Sequence, residues 1–246
     1  MSLTKKDDLN ILLVSLRDKQ DPMAVHELNC FKSALKVNHI DCINASAEKL
    51  TDDLLNKDLV LFGGSGAYSV LDDISWIKST LNFLIKVVEN NTLAWASCFG
   101  FQGLSLAMGG EVIRDEKKQK LGSYEVMLTN EGVDDIVFGI LPKKFYAQFG
   151  HHDHVTYMPS GLINLAYCEQ GDFQAFKVKD SNFWGAQFHP ELNNALTWER
   201  WEHYREHYEG DDKEQIEKTL KSSPDTPNVD HVFDTLIKIA LKNKTH

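Results

Sequence analysis

Long apolar runs are missing from this sequence. No stretch stays apolar over the roughly 18 residues that a membrane-spanning helix needs, so we expect no membrane contact. Residues 1–10 contain Lys5 and Lys6 but lack the apolar core of a secretory signal, so we expect no export. Both absences favour a protein that works away from membranes.

Cysteines and basic residues are also few. Cys30, Cys42, Cys98 and Cys168 show neither C-x-x-C spacing nor the spacing of a secreted disulfide framework, which predicts reduced thiols and a cytoplasmic protein. The chain has 26 lysines and arginines against 36 aspartates and glutamates, a net charge of -10. Because surplus negative charge opposes binding to phosphates, we expect no nucleic-acid partner.

The rest of the composition is that of a folded globular protein, since 246 residues with 42% hydrophobic content can bury a full core. Strand and helix patterns alternate in the first half of the chain. The predicted elements are strands at 10–16, 39–44, 58–62 and 93–97, and helices at 23–37, 76–89 and 99–108. This alternation predicts an α/β fold of three layers, with a mostly parallel central sheet flanked by helices.

The second half of the chain has a different pattern. Short strands are predicted at 111–114, 122–128, 155–158, 165–168 and 173–178. We expect one domain over residues 1–191, without a linker or repeat, and a helical extension of the same domain over residues 192–246. In that extension Trp201, Tyr204 and Tyr208 recur at helical spacing, which predicts packing residues.

One thiol lies where a nucleophile is expected. The predicted strand at 93–97 leads directly into Cys98, and the helix that follows ends at Gly109 and Gly110. A sharp turn from strand to helix exposes its side chain at the end of a sheet, and a helix N-terminus favours thiolate over thiol. On this motif alone, a small buried hydrophobic cysteine remains an alternative.

A second motif lies far downstream, in the run Gln187-Phe188-His189-Pro190-Glu191. A cysteine nucleophile needs a base, and the base needs a partner that orients its ring. His189 and Glu191 have the chemistry for these two roles. Pro190 restricts the backbone around them, which predicts a stiff turn after a strand.

Together the two motifs resemble those of the class I glutamine amidotransferases, the Cys-His-Glu family. That family has a Gly-x-Cys-x-Gly-x-Gln elbow, similar to residues 96–102 here, and a Gln-Phe-His-Pro-Glu run that matches residue for residue. Residues 61–66 resemble the glycine loop of the family, and residues 150–153 lie where a Ser-His-Gly-Asp-like loop is expected. The resemblance runs from about Leu9 to Glu191. It is closest to small stand-alone members similar to the amidotransferase domain of GMP synthase.

This resemblance implies a flavodoxin-like fold, no cofactor and hydrolysis of glutamine. Cys98 would attack the side-chain amide, His189 would protonate the departing ammonia and then activate water, and Glu191 would orient the imidazole. The backbone N–H groups of Gly64 and Phe99 would stabilise the negative charge that develops on oxygen. The other residues implied to line the glutamine pocket are Gly66, Gln102, Gly150, His152 and Asp153.

Four residues depart from the family pattern. Ala96 replaces a glycine, Ser97 an aliphatic residue and Phe101 what is often a histidine. His152 replaces a glycine whose backbone lines the pocket in the family. We expect its ring to reshape or partly fill that pocket, which bears on the substrate more than on the chemistry.

Three functional hypotheses follow. The favoured one is a glutaminase or amidotransferase subunit that passes ammonia to a synthetase partner, because no ammonia-consuming domain is recognisable in the chain. The second is a γ-glutamyl hydrolase that acts on a related amide, and the third is a binding or regulatory relative without catalysis. In each case the expected ligand is a small molecule, glutamine or a γ-glutamyl compound.

Two groups of histidines raise the alternative of a metal site. His151, His152 and His154 are nearly adjacent, and His203 and His207 are four residues apart on a predicted helix. Adjacent residues rarely converge on one ion, and a solvated helix face is the commoner use of such a pair. We therefore predict no metal.

Overall fold

A nine-stranded sheet forms the centre of the molecule in the computed structural model, which describes residues 5–115, 119–169, 171–207 and 213–245. The eleven strands found in these ranges are β1 (Ile11–Ser15), β2 (Asp41–Asn44), β3 (Leu59–Phe62), β4 (Ala94–Ser97), β5 (Glu111–Arg114), β6 (Lys120–Leu128), β7 (Lys144–His151), β8 (Asp153–Tyr157), β9 (Leu162–Cys168), β10 (Gly171–Val178) and β11 (Phe183–Ala186).

One half of this sheet is parallel and the other is antiparallel. The strand order is β2-β1-β3-β4-β11-β10-β9-β6-β7. Strands β2, β1, β3, β4 and β11 run parallel, and the remaining neighbours pair antiparallel. Strands β5 and β8 form a separate antiparallel pair. The predicted alternation of strand and helix is confirmed for the first half of the chain, and so is the β-rich character of the second half.

Helices cover both faces of the sheet. Those in the described ranges are α1 (Pro22–Leu35), α2 (Ser75–Glu89), α3 (Phe99–Ala107), α4 (Asn130–Asp134), α5 (Asn194–Tyr204), α6 (Lys213–Ser222) and α7 (His231–Lys244). None of them has the length and apolar character needed to cross a membrane.

The core consists of two apolar clusters, one on each face of the sheet. Leu13 of β1 belongs to the cluster that contains α1 and α7, whereas its neighbour Val14 belongs to the cluster that contains α2 and α3. All five residues of β1 are buried, because a parallel strand between two helical layers has no solvent-facing side. The predicted three-layer α/β fold is confirmed.

The sequence pattern misses strand β7 and misplaces the start of β8. The predicted loop at residues 150–153 is a single bent residue, because Gly150 and His151 end β7, Asp153 begins β8, and His152 alone lies between them. The alternating burial of the preceding residues, with Phe149 in the core, is the signal that defines β7. The polar histidine run hides this signal at the end of the strand.

The helical extension packs against the core. Phe233 of α7 is buried, with ring centroids 5.8 Å from Phe31 and 5.3 Å from Trp95. Trp201 and Tyr204 of α5 are buried as predicted, and Tyr208 lies outside the described residues. We propose that residues 192–246 belong to the same domain as residues 1–191.

This proposal predicts the outcome of Phe233→Ala. Deleting a fully buried phenylalanine leaves a cavity between α7 and the sheet, so we expect one cooperative unfolding transition destabilised by about 3–5 kcal/mol. Lys238→Ala, an exposed change on the same helix, is the control and should alter the unfolding free energy by less than about 0.5 kcal/mol. A separate early transition of the extension in urea would contradict the single domain.

Candidate functional site

Three neighbouring parallel strands, β3, β4 and β11, deliver the candidate residues to one edge of the sheet. Gly64 follows β3, Cys98 follows β4 and His189 follows β11. The backbone N–H of Cys98 donates to the carbonyl oxygen of Ala186 at 2.8 Å, which fixes the two loops against each other. Since the carboxyl ends of parallel strands meet at one edge, residues distant in sequence come together here.

Cys98 forms a strained elbow between β4 and α3. Its φ is 47° and its ψ is -99°, in a region that residues with side chains rarely adopt. A Cβ at Gly100 would lie 2.7 Å from Phe62 Cβ and 3.1 Å from Ala96 Cβ, so glycine is required there. The same close packing shows that the Ala96 methyl group is accommodated, because it faces a residue without a side chain.

His189 and Glu191 form a buried pair. His189 Nδ1 lies 2.6 Å from Glu191 Oε1, a short contact that holds the proton on Nδ1. The backbone N–H of His189 donates to the carbonyl oxygen of Gln148 at 2.9 Å. A Cβ at Gly64 would lie 2.9 Å from His189 Cε1, 3.6 Å from Nε2 and 3.7 Å from Cys98 Cβ. The His189 imidazole and the Cβ atom of Cys98 therefore both face Gly64.

Ser97 supports the second oxygen of Glu191, a contact that the sequence did not predict. Ser97 Oγ donates to Glu191 Oε2 at 3.1 Å and accepts from Trp95 Nε1 at 2.8 Å. Burial opposes ionisation of Glu191, but His189 and Arg200 outweigh burial and lower its pKa. Ser97, which departs from the family pattern, thus helps to hold the Glu191 carboxylate. In the sequence, only that departure pointed to Ser97.

The Cys98 thiol differs from the expected thiolate. It is 4% exposed, and burial raises its pKa to about 12. Arg17 and Arg200 act in the opposite direction, and the negative charges of Glu191 and Asp153 add to the increase. The side-chain amide of Gln187 also donates to Cys98 Sγ at 3.6 Å. Burial therefore opposes the thiolate that a helix N-terminus favours.

A cavity of about 360 Å³ opens over the thiol. It is lined by most of the predicted site residues, namely Gly66, Cys98, Phe99, Gln102, Gly150, His152, Asp153 and His189. Gly64 and Glu191 are not among its lining residues in the described ranges. The half-buried His152 is part of the wall, as expected, whereas Phe101 stacks on Phe176 in the core at 5.0 Å. The departure at position 101 therefore does not reach the cavity.

Several polar groups predicted to bind the ligand already bind the protein. Gln102 Nε2 donates to the carbonyl oxygen of Asp153 at 2.7 Å and to Gln187 Oε1 at 3.2 Å. The Asp153 carboxylate accepts from Ser69 Oγ and, at 3.2 Å, from Arg114 Nε. These bonds fix the shape of the wall.

The Gly64 amide also has a protein partner. Its N–H donates to Glu27 Oε1 at 3.0 Å, and Glu27, on α1, is 0% exposed. The N–H of Phe99 lies in the first turn of α3, where amides lack an intrahelical acceptor. Of the two predicted donors, Phe99 is the one that this geometry leaves to a ligand.

The far wall of the cavity comes from the helical extension and was not predicted. Thr197, Arg200, Trp201 and Tyr204 of α5 line it, and the Tyr204 ring packs directly on Gly66. Predicted packing residues thus also shape the site. Within the described ranges, no three histidine, cysteine or acidic side chains are placed to hold a metal ion together.

Comparison with known proteins adds independent findings. The model of the family "Glutamine amidotransferase class-I" matches residues 19–199. A glutamine-hydrolyzing GMP synthase subunit from Sulfurisphaera tokodaii is 30% identical over 161 residues, which cover 65% of this chain and 81% of that protein. Gamma-glutamyl peptidase 4 of Arabidopsis thaliana is 28% identical over 149 residues, 58% of this chain and 59% of its own.

A solved structure shares the fold. A glutamine amidotransferase from Thermotoga maritima superposes with a TM-score of 0.68 over 95% of this chain and 99% of its own, at 19% sequence identity. At that identity the likeness concerns the fold alone.

Proposed function

The chain belongs to the class I glutamine amidotransferase family, and from this premise we propose that it hydrolyses the side-chain amide of glutamine to glutamate and ammonia. The observation that carries the proposal is the pairing of His189 Nδ1 with Glu191 Oε1 at 2.6 Å beside the strained Cys98 elbow. A nucleophile, a base and an orienting carboxylate on one cavity are what acyl transfer through a thioester requires.

In the proposed mechanism Cys98 Sγ attacks the amide carbon while its proton passes to His189 Nε2. Because burial raises the pKa of the thiol to about 12, the proton leaves as the carbon–sulfur bond forms rather than before it. The imidazolium then protonates the departing nitrogen, which releases ammonia and leaves a γ-glutamyl thioester. Water, deprotonated by His189, hydrolyses the thioester to glutamate and restores the thiol.

The negative charge on the amide oxygen needs fixed donors. We assign this role to the N–H of Phe99, since the Gly64 N–H donates to Glu27 in this structure. The contacts proposed for the rest of glutamine are the cavity-lining residues Gly66, Gln102, Gly150, His152 and Asp153.

The test is release of ammonia and glutamate from glutamine by the purified chain. A diazo ketone analogue of glutamine, which alkylates a thiol that is able to attack its carbonyl group, should label Cys98 in a peptide-resolved mass spectrum. We expect turnover that is lost on labelling, with free glutamine protecting the thiol. Turnover that continues after complete labelling of Cys98 would contradict the mechanism.

Hydrolysis of a γ-glutamyl amide with a larger leaving group is a second candidate. The likeness to gamma-glutamyl peptidase 4 of Arabidopsis thaliana favours it, as does a cavity of about 360 Å³ walled by α5. γ-Glutamyl dipeptides in the same assay separate the candidates. A higher kcat/KM for a dipeptide than for glutamine would identify γ-glutamyl dipeptides as the preferred substrates.

We also propose an ammonia-accepting synthetase as a partner, because the Sulfurisphaera tokodaii relative is named as one subunit of a synthase. A synthetase that consumes ammonia should then raise the rate of glutamine hydrolysis when it is added. A rate that is insensitive to any such enzyme, together with turnover of dipeptides, would favour the hydrolase.

Gly64→Ala tests the packing between the glycine loop and the imidazole. Its new Cβ would lie 2.9 Å from His189 Cε1, so the ring must move away from position 64 and lose its alignment, and we expect kcat/KM to fall on the order of 100-fold. The melting temperature should change little. Gly103→Ala, on α3 against flexible leucine side chains at 3.2 Å, is the matched control and should retain activity. Equal activities in the two variants would contradict the geometry.

A further inference from the structure

A buried arginine from the helical extension lies beside the triad. Arg200 of α5 is 9% exposed, and its Nη1 lies 3.4 Å from His189 Nδ1. Its Nη2 lies 4.0 Å from Glu191 Oε1. The family match ends at residue 199, so this contact comes from the part of the chain that follows the match.

Arg200 joins a buried network of four charged groups. Its Nη2 is 3.8 Å from Glu27 Oε1, and Arg17 Nη2 lies 3.3 Å from the same oxygen. Two carboxylates, Glu27 and Glu191, therefore share the surroundings of two guanidinium groups. Such a set is stable only while the charges compensate each other, because an unpaired buried charge is costly.

The hydrogen bonding of Arg200 is incomplete for a structural arginine. Its Nε and Nη2 atoms are buried and have no hydrogen-bond partner among the described residues. Leaving buried donors unpaired reduces stability, and a catalytic role is one of the reasons for which proteins retain such groups. The guanidinium group lies beside His189 and Glu191, so its positive charge acts on these two members of the triad.

We propose that Arg200 is a positioning residue for amide hydrolysis, which holds the Glu191 carboxylate ionised and the His189 ring aligned with Cys98. The inference rests on the proposed function. It means that the helical extension, and not only the matched region, completes the active site.

The positive charge of Arg200 favours the ionised forms of the acids around it. A nearby cation lowers the pKa of every acid around it, and Arg200 lowers the pKa of both Cys98 and Glu191. Among the described residues, the other charged groups that face the triad are Arg17, Glu27, Asp153 and, when protonated, His151, and the Arg200 variants leave all of them unaltered. Because Glu191 orients His189 only while it is ionised, loss of Arg200 should move the acid limb of activity to higher pH.

The experiment compares Arg200→Gln and Arg200→Lys with Arg205→Gln, a change of a more exposed arginine at the end of α5. We expect Arg200→Gln to lower kcat at least about 10-fold, with a smaller change in KM, and to raise the acid limb of kcat/KM by roughly one pH unit. Arg200→Lys keeps the positive charge, so the acid limb of kcat/KM should stay close to that of the unaltered protein. Arg205→Gln should behave like the unaltered protein.

A second measurement does not need turnover. The rate of Cys98 alkylation by iodoacetamide at one fixed pH near neutrality, followed by peptide mass spectrometry, reports the ionised fraction of the thiol. Arg200→Gln should lower this rate, because it raises the pKa of the thiol. Glu27→Gln, which removes a negative charge next to Arg200, should raise the rate. Absence of turnover in the unaltered chain would count against the proposed function, while these alkylation rates still test Arg200. Rates unchanged in both variants would overturn the inference.

Discussion

Replacing Cys98 by alanine is expected to abolish amide hydrolysis, with a loss of several orders of magnitude in kcat. No other thiol lines the cavity within the described ranges, and the strained elbow directs this one into it. Loss of a nucleophile removes the covalent route entirely, and only the weak acceleration given by binding is left. Ammonia release from glutamine, followed over hours at high protein concentration, measures the residual rate of the variant.

Cys30→Ala is the matched control for this prediction. Cys30 is as buried as Cys98, burial raises the pKa of its thiol to about 12 as well, and His26 lies next to it, with Nδ1 3.6 Å from Sγ. It lies inside α1 and not at a strand end, so it has neither the elbow nor the cavity. We expect full activity in Cys30→Ala. Comparable losses in the two variants would mean that folding, and not nucleophilic attack, explains the effect.

The parallel half of the fold was predictable because its signals are local. Strands β1, β3 and β4 are short apolar runs, and each is followed by a helix that packs on the sheet, so alternation alone indicates the layers. The motif around Cys98 was predictable for the same reason, since the end of β4 and the start of α3 are adjacent in sequence. Strand β7 was missed because Gln148 is buried among alternating apolar residues and a polar histidine run follows.

The charge network beside the triad could not be predicted. Arg17 follows β1, Glu27 lies on α1 and Arg200 lies on α5, and each appears in the sequence as an ordinary surface charge. Only the fold brings both guanidinium groups within 4 Å of the Glu27 carboxylate. The partner of the Gly64 N–H was hidden in the same way, because a backbone amide carries no sequence signal of the side chain that binds it.

The aromatic helix shows how one pattern served two purposes. The spacing of Trp201 and Tyr204 predicted packing, and both side chains are buried. Tyr204 also accepts from Arg17 Nη1 at 2.6 Å, donates to Asp21 and covers Gly66. Helical periodicity identifies a buried face but does not say that the face encloses a cavity.

The second large effect is expected from His189→Ala. Without the imidazole, the buried thiol has no acceptor for its proton, and the departing nitrogen has no donor. We therefore expect kcat to fall by several orders of magnitude on glutamine or on a γ-glutamyl dipeptide. Loss of His189 also removes a group that lowers the pKa of Glu191, so this carboxyl becomes harder to ionise. The same ammonia assay measures the loss.

Chemical rescue separates lost catalysis from a damaged fold. His189→Ala leaves space beside Gly64, and added imidazole should enter it from the cavity and restore part of the activity. Because Glu191 and Ser97 remain in place to orient the added ring, rescue should be weaker when Glu191→Gln is combined with His189→Ala. The control is His39→Ala, an exposed change that should leave activity intact. Undiminished hydrolysis by His189→Ala would rule out the proposed base, whereas rescue that depends on Glu191 would tie both residues to one proton-transfer path.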